Sequence, residues 1–392
     1  MALGSNSADH RADPGRWSRE RVFGEGDAWF DDICSAIRRA RDRVWVETYL
    51  LGSDAIGSRL VAELLAAQRR GCEVRLLVDG FGSAAWLRDA SVREALGSAG
   101  VSLRVWRPMP WALSDRVDFS RRLRWLAGIN RRDHRKICLV DREAWVGSFN
   151  WVEDHSRKHR GKRAWRDAGA RVRGPGVDSL DSAFCHAWRL AWPVGGGMLL
   201  PILRRGPRVR PRPSPWVLLN HNPWLRRASR RELLSRIGAA KRRIWITNAY
   251  FLPWGRLLRV LGNAARRGVS VRILFPEQSD HRIVSWATRR LSDALLKKGV
   301  EVFAFQSKML HSKTMIIDGS ARVGSHNLNG RSFLHDLECD VVLAGKASLR
   351  QMEKAWREDL SHAVPLAIPA AVGLAFWKRI LANLALRLRK WL

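Results

Sequence analysis

Residues 134–141 read His134-Arg-Lys136-Ile-Cys-Leu-Val-Asp141, and residues 311–318 read His311-Ser-Lys313-Thr-Met-Ile-Ile-Asp318. Each is followed by the same second element, Gly147-Ser148-Phe-Asn150 in the first copy and Gly324-Ser325-His-Asn327 in the second. The internal offsets agree throughout: two residues from His to Lys, seven to Asp, thirteen to Gly and sixteen to Asn. On a strand, a spacing of two puts His and Lys on one face, while the apolar run between Lys and Asp anchors the strand in a core. The Gly-Ser-x-Asn turn can then bring a hydroxyl, an amide and backbone N–H groups to the same spot. A single His-x-Lys is ordinarily a solvated strand face. Two copies at equal spacing are a repeated site.

Outward from the motifs, the repeat continues. RRGCEVRLLVDG (69–80) aligns with RRGVSVRILFPE (266–277), and upstream VWVETYLL (from Val44) matches IWITNAYFL (from Ile244). Each reads as a buried strand, an amphipathic helix stopped by Gly, and another buried strand, so a βαβ unit occurs twice. From Arg69 to His134 the chain is about 20 residues longer than from Arg266 to His311, which places an insertion within 107–130, a stretch mixing Arg with Trp and Leu. Pro and Arg deny regular structure to RRGPRVRPRPSPW (204–216), a linker. The expected organisation is a first domain over 1–203, the linker, a second domain over 217–363 and a basic tail over 364–392.

Composition narrows the partner. The 392 residues hold 70 Lys plus Arg against 37 Asp plus Glu, a net charge of +33, and 58 of the cations are Arg. Such a chain suits a polyanionic partner, either nucleic acid or an anionic membrane. A hydrophobic content of 46% excludes a disordered chain. The five cysteines are odd in number, widely spaced and without CxxC, which argues against a disulfide frame or zinc site and for a reducing compartment. No secretory signal is read at the N-terminus, and the longest apolar candidate, 364–377, holds two prolines and is too short to span a bilayer.

The duplicated HxKxxxxD with trailing GSxN resembles the phospholipase D superfamily over about residues 27–356. VETYLLGSDAIG (46–57), Trp165-Arg166-Asp167 followed by GPGV (174–177), and Asn327-x-Asn-x-Arg331-Ser332 with Glu338 beyond resemble its cardiolipin synthase branch. Two departures stand out. Gly-Ser replaces the commoner Gly-Gly before the first Asn, and no membrane-spanning N-terminus of the kind found in some cardiolipin synthases is read in these residues. The resemblance implies an α/β chain of two phospholipase D-like α/β/α sandwich domains, related by internal duplication and sharing one active site. It further implies His134 as nucleophile and His311 as general acid, with Asp167 and Glu338 as acidic partners able to accept from an imidazole Nδ1.

The chemistry also follows from the residues. Phosphodiester exchange needs an in-line nucleophile, an acid for the leaving alkoxide and cations around the equatorial oxygens. Two histidines near their ordinary pKa of ~6.5 can serve as nucleophile and acid. Lys136, Lys313, Asn150 and Asn327 supply charge and hydrogen bonds, so no metal and no cofactor is expected. Asp141 and Asp318 are expected to pin the strand and its turn rather than touch substrate. Ser148 and Ser325 either donate to the phosphate or hold the turn. His155, His159 and His326 are read as solvated or structural.

Residues 375–392 read as a basic amphipathic helix, either lying in the headgroup region of an anionic membrane or packed terminally on the core. Membrane or lipid-entrance duty is open for the Trp/Arg insertion too. Of 20 tryptophans, Trp45 and Trp245 read as core. The function expected is a cardiolipin synthase-type phosphatidyltransferase, passing a phosphatidyl group through a phosphohistidine from phosphatidylglycerol to a second phospholipid. The alternatives are a phospholipase D-type hydrolase, a nuclease or phosphodiesterase on the same fold, and a non-catalytic membrane scaffold. The expected partners are an anionic phospholipid membrane and phospholipid substrates, with nucleic acid disfavoured. A monomer is expected to suffice, in the cytoplasm and peripheral to the inner face of the cell membrane.

Overall fold

The computed structural model describes residues 17–109, 130–194, 214–369 and 375–387. Most of the expected insertion and linker lies outside these residues. The first half forms strands β1 (Arg19–Phe23), β2 (Arg43–Thr48), β3 (Glu73–Asp79), β4 (Ser102–Trp106), β5 (Ile137–Val140), β6 (Glu143–Gly147), β7 (Gly169–Arg173) and β8 (Trp192–Pro193). The second forms β9 (Val217–Leu219), β10 (Arg243–Asn248), β11 (Ser270–Pro276), β12 (Glu301–Phe305), β13 (Lys313–Ile317), β14 (Ser320–Gly324), β15 (Cys339–Leu343) and β16 (Ala363–Pro365).

The sheets are two copies of one plan. The first runs β1-β7-β6-β5-β2-β3-β4-β8; the second, read from its β9 edge, runs β9-β15-β14-β13-β10-β11-β12-β16. In each, three parallel strands (β2-β3-β4, β10-β11-β12) meet an antiparallel motif strand, β5 or β13. The Val, Ile and Leu runs of β2, β3, β10 and β11 are buried because both sheet faces are covered. Helices Gly26–Arg39 and Ala55–Arg69 seal one face of the first sheet with Phe30, Ile33, Ile37, Leu60 and Leu64. Helices Pro223–Ala239 and Gly255–Arg266 do the same for the second with Leu233, Ile237, Leu257 and Leu261. The opposite faces, with helices Val177–Leu190 and Lys346–Ser361, merge into one core that crosses between the halves, and Trp45 stacked on Phe184 and Trp245 stacked on Trp356 both belong to it. The chain is thus two α/β/α units with a common interior.

The acid ending each motif fixes a corner. Asp141 and Asp318 adopt φ of 50° and 47°, the left-handed conformation that Asp tolerates better than most residues. The Asp141 carboxylate accepts from the backbone N–H groups of Arg41, Asp42 and Arg43 at 3.2, 3.0 and 3.1 Å. Asp318 accepts from Lys241, Arg242 and Arg243, all at 2.9 Å. Each carboxylate clamps the β5–β6 or β13–β14 turn to the start of the neighbouring strand, far from the histidine end of its motif.

Helix Phe376–Arg387 lies on helix Arg282–Leu296. Ala385 is buried with Leu252 and Ala287, and Trp377 meets Trp286 edge-on at 5.4 Å. Phe376, Trp377, Ile380 and Leu384 are more than half exposed. The tail therefore has two apolar faces, one packed and one open. None of the described helices is long and apolar enough to cross a membrane.

Candidate active site

Short backbone contacts between the halves build the site. His134 N–H donates to Leu337 O at 3.0 Å and Leu337 N–H donates to Arg132 O at 2.8 Å. On the other side His311 N–H donates to Arg166 O at 2.8 Å and Arg166 N–H donates to Met309 O at 2.8 Å. Each histidine is thereby hydrogen-bonded to the residue just before an acid of the opposite half. The side chains follow: His134 Nδ1 lies 3.1 Å from both oxygens of Glu338, and His311 Nδ1 lies 2.7 Å from Asp167 Oδ2. With Nδ1–H donated to a carboxylate, Nε2 is the nitrogen left with a lone pair to attack phosphorus or a proton to give.

Serines hold the acids. The Ser148 hydroxyl donates to Asp167 and the Ser325 hydroxyl to Glu338, and all four residues are fully buried. Both serines thus stand behind the carboxylates. Gly147 permits the approach, since a Cβ there would lie 2.7 Å from Gly169 Cα. Asn150 and Asn327 are buried, and their Oδ1 atoms have no partner among the described residues. Lys136 and Lys313 each donate to the carbonyl of their own motif histidine, at 2.6 Å for Lys136.

Burial and the lysines set the charge state. Both imidazoles are pushed below their ordinary 6.5, first by burial and then by the lysines, which corrects the expectation of histidines near that value. Burial also lowers Lys136 to about 8 and Lys313 to about 7, against the pull of Glu338 and Asp167. The carboxylates differ. Burial works to raise Asp167, yet His311 and His155 hold it well below the usual carboxylate range, whereas burial keeps Glu338 above its ordinary value.

Three kinds of residue were missed by sequence reading. His155, read as solvated or structural, is fully buried with Nδ1 3.1 Å from Asp167 Oδ2. It sits five residues after Asn150; five residues after Asn327 sits Ser332, whose hydroxyl donates to Glu338 at 2.7 Å. That shared offset is the signal that finds them. His326 is buried beside Asp340, and His159 is exposed. The second kind is Asn220, whose Oδ1 accepts from Glu338 N–H at 2.7 Å while its Nδ2 donates to Ser332 O and Asp336 O. The third is Tyr49 and Tyr250, whose rings lie 5.1 Å from His134 and 6.4 Å from His311.

His155, Asp167 and His311 also offer ligand atoms within 4.8 Å of one another. The donor set argues for hydrogen bonds instead. His155 Nε2 accepts from Asn150 N–H at 3.2 Å, which leaves Nδ1, facing Asp167, to carry the ring proton. A protonated nitrogen is no metal ligand.

The family described as "Cardiolipin synthase, PLD-like domain" matches this chain twice, over residues 33–160 and 233–360. The chain belongs to the cardiolipin synthase family. Its class is that of the phosphatidyltransferases of the phospholipase D superfamily. Among relatives of this family, cardiolipin synthase B of Salmonella typhi is 33% identical, over 82% of this chain and 76% of its own. The probable cardiolipin synthase YwiE of Bacillus subtilis is 29% identical, over 93% and 70%. The crystal structure of phosphatidylserine synthase from Haemophilus influenzae shares the fold, with a TM-score of 0.69 at 13% identity and 95% of both chains covered. Both α/β/α units expected from the sequence thus stand in the structure and in the cardiolipin synthase family.

Proposed function

We propose that this chain is a cardiolipin synthase-type phosphatidyltransferase that acts through a covalent phosphohistidine. The reading rests on the reciprocal exchange of acids, in which each motif histidine is oriented by a carboxylate of the other half so that two Nε2 atoms and two lysines serve one phosphorus. His134 Nε2 attacks phosphorus of phosphatidylglycerol, the P–O bond to the glycerol headgroup breaks, and His311 delivers its Nε2 proton to the departing oxygen. A second phospholipid alcohol then enters, His311 takes its proton, and its oxygen displaces His134 from phosphorus. Lys136 and Lys313 stabilise the equatorial oxygens throughout.

The order of the histidines draws support from the unlike carboxylates. Asp167, held ionised, stabilises the imidazolium that His311 must become, while Glu338 with its raised pKa suits a ring that attacks in neutral form. Lys313 opposes protonation of His311; a phosphate anion beside it offsets that charge, so substrate arrival loads the acid. The open apolar face of helix Phe376–Arg387, with Lys378, Arg379 and Arg387 on the same helix, gives the protein a peripheral hold on an anionic bilayer.

The test is purified protein on phosphatidylglycerol vesicles, read by mass spectrometry. Cardiolipin and free glycerol are the expected products, with a phosphatidyl adduct on His134 in quenched samples. Phosphatidic acid alone would make the protein a hydrolase, and turnover of oligonucleotides without lipid turnover would overturn the reading.

A further inference from the structure

The chain contains two tyrosines among 20 tryptophans and 12 phenylalanines, and both are in the active site. Tyr49 follows β2 and Tyr250 follows β10, the equivalent strand. Lys136 Nζ lies 5.2 Å from the centre of the Tyr49 ring and Lys313 Nζ 5.9 Å from that of Tyr250. Beyond this point the two sides differ. The Tyr250 hydroxyl donates to Asp280, with the two carboxylate oxygens at 2.7 and 2.8 Å. Asp280 stands on the exposed segment before helix Arg282–Leu296 and accepts from the Ser279 hydroxyl and its neighbour's backbone, His281 N–H, both at 3.0 Å. Beside His134 the rim carries instead the one-third-exposed Arg331, which also acts on His134 electrostatically. A duplicated site thus has the Arg331–Asp336 ion pair on one lip and the Tyr250–Asp280 pair on the other.

We infer that Tyr250 and Asp280 form a subsite for the hydroxyl-bearing headgroup, taking the free hydroxyls of a vicinal diol next to the oxygen that His311 protonates or deprotonates. This rests on the transferase reading and names its alcohol. The Tyr250 proton is spent on Asp280, so the pair presents only acceptors outward and selects donors. An ammonium headgroup is a donor too, but the Lys313 ammonium faces the same corner, 5.9 Å from the centre of the Tyr250 ring. A neutral polyol meets the acceptors without that repulsion. The leaving alcohol of the first step and the accepting alcohol of the second both use the subsite, because both face His311.

The experiment compares kcat/KM of the full chain on phosphatidylglycerol with that on a phosphatidylpropanol whose headgroup lacks free hydroxyls, using vesicles of otherwise equal composition. The unaltered chain is expected to prefer the glycerol headgroup. Asp280→Asn should cut that preference roughly tenfold, as expected for hydrogen bonds to a charged acceptor, and Tyr250→Phe should cut it in the same direction. Phosphatidylpropanol turnover should stay nearly unchanged in Asp280→Asn, which a merely structural role for the segment would not allow. Equal losses on both lipids, or full preference kept in Asp280→Asn, would overturn the subsite alone. A preference for phosphatidylethanolamine that Asp280→Asn removes would overturn it in favour of an ammonium pocket. No turnover of any of these lipids by the unaltered chain would overturn the transferase reading itself.

Discussion

His134 Nδ1 is held at 3.1 Å by Glu338, a residue 204 positions further along the chain and in the other structural unit. His311 is held at 2.7 Å by Asp167, 144 positions before it. Neither motif histidine is oriented from its own half alone, so the reactive tautomers exist only in the joined molecule. Glu338→Gln keeps the shape and removes the charge. It is expected to lower kcat roughly 100-fold with little change in KM, measured on phosphatidylglycerol vesicles with circular dichroism as the control for folding. An unchanged rate would mean that the imidazole needs no carboxylate.

The two histidines are separable by leaving group. A phosphoester of p-nitrophenol leaves without an acid, so His311→Ala should retain a single-turnover burst of p-nitrophenol while losing lipid transfer. His134→Ala should lose both, since no bond to phosphorus can form. The opposite pattern would exchange the roles.

Alkaline pH should disable the free enzyme early. Lys313 at about 7 and Lys136 at about 8 are both below an ordinary lysine, so raising the pH through 7–8 removes the cations that bind phosphate. The measured kcat/KM is expected to fall across that window. A bound phosphate restores the lysine charge, so kcat should decline only at higher pH. On the acid side both imidazoles stay neutral below 6.5, and His134 remains able to attack there. A kcat/KM that is flat to pH 9 would contradict this.

The exposed stripe of the C-terminal helix should act in binding rather than folding. Changing Phe376, Ile380 and Leu384 together to Ser removes apolar groups that are 76%, 51% and 51% exposed, so the melting temperature should hardly move. Co-sedimentation with phosphatidylglycerol vesicles is expected to weaken by roughly tenfold or more, from the apolar area withheld from the bilayer. Unaltered co-sedimentation would assign that face no lipid contact.

Equal spacing made much of this visible in advance. The offsets from His134 and His311 locate both motif strands, and the matched Arg-Arg-Gly turns locate the parallel strands beside them. Asp167 and Glu338 came from family likeness, because their distances from Asn150 and Asn327, 17 and 11 residues, do not repeat. Tyr49 and Tyr250 escaped for a related reason: Ala249 adds one residue after β10 and puts the tyrosines out of register. His155 escaped because its partner position is serine, a different side chain on an equal duty. For the depressed histidines the lysine two residues on in each motif was visible, but the burial that contributes most was not.

The single interior behind both sheets has a consequence for movement. Many two-part enzymes open like a clasp to admit substrate, but here parting the units would wet Val146, Val172, Val323 and Val341, which belong to the shared core on strands β6, β7, β14 and β15 that meet between the halves. Such a hinge would amount to unfolding, at an apolar cost of about 1.5–3 kcal/mol or more for each large side chain exposed. Traffic must therefore run through a fixed doorway. Under the proposed mechanism, one alcohol departs by the route its successor takes, while the phosphatidyl group waits on the protein.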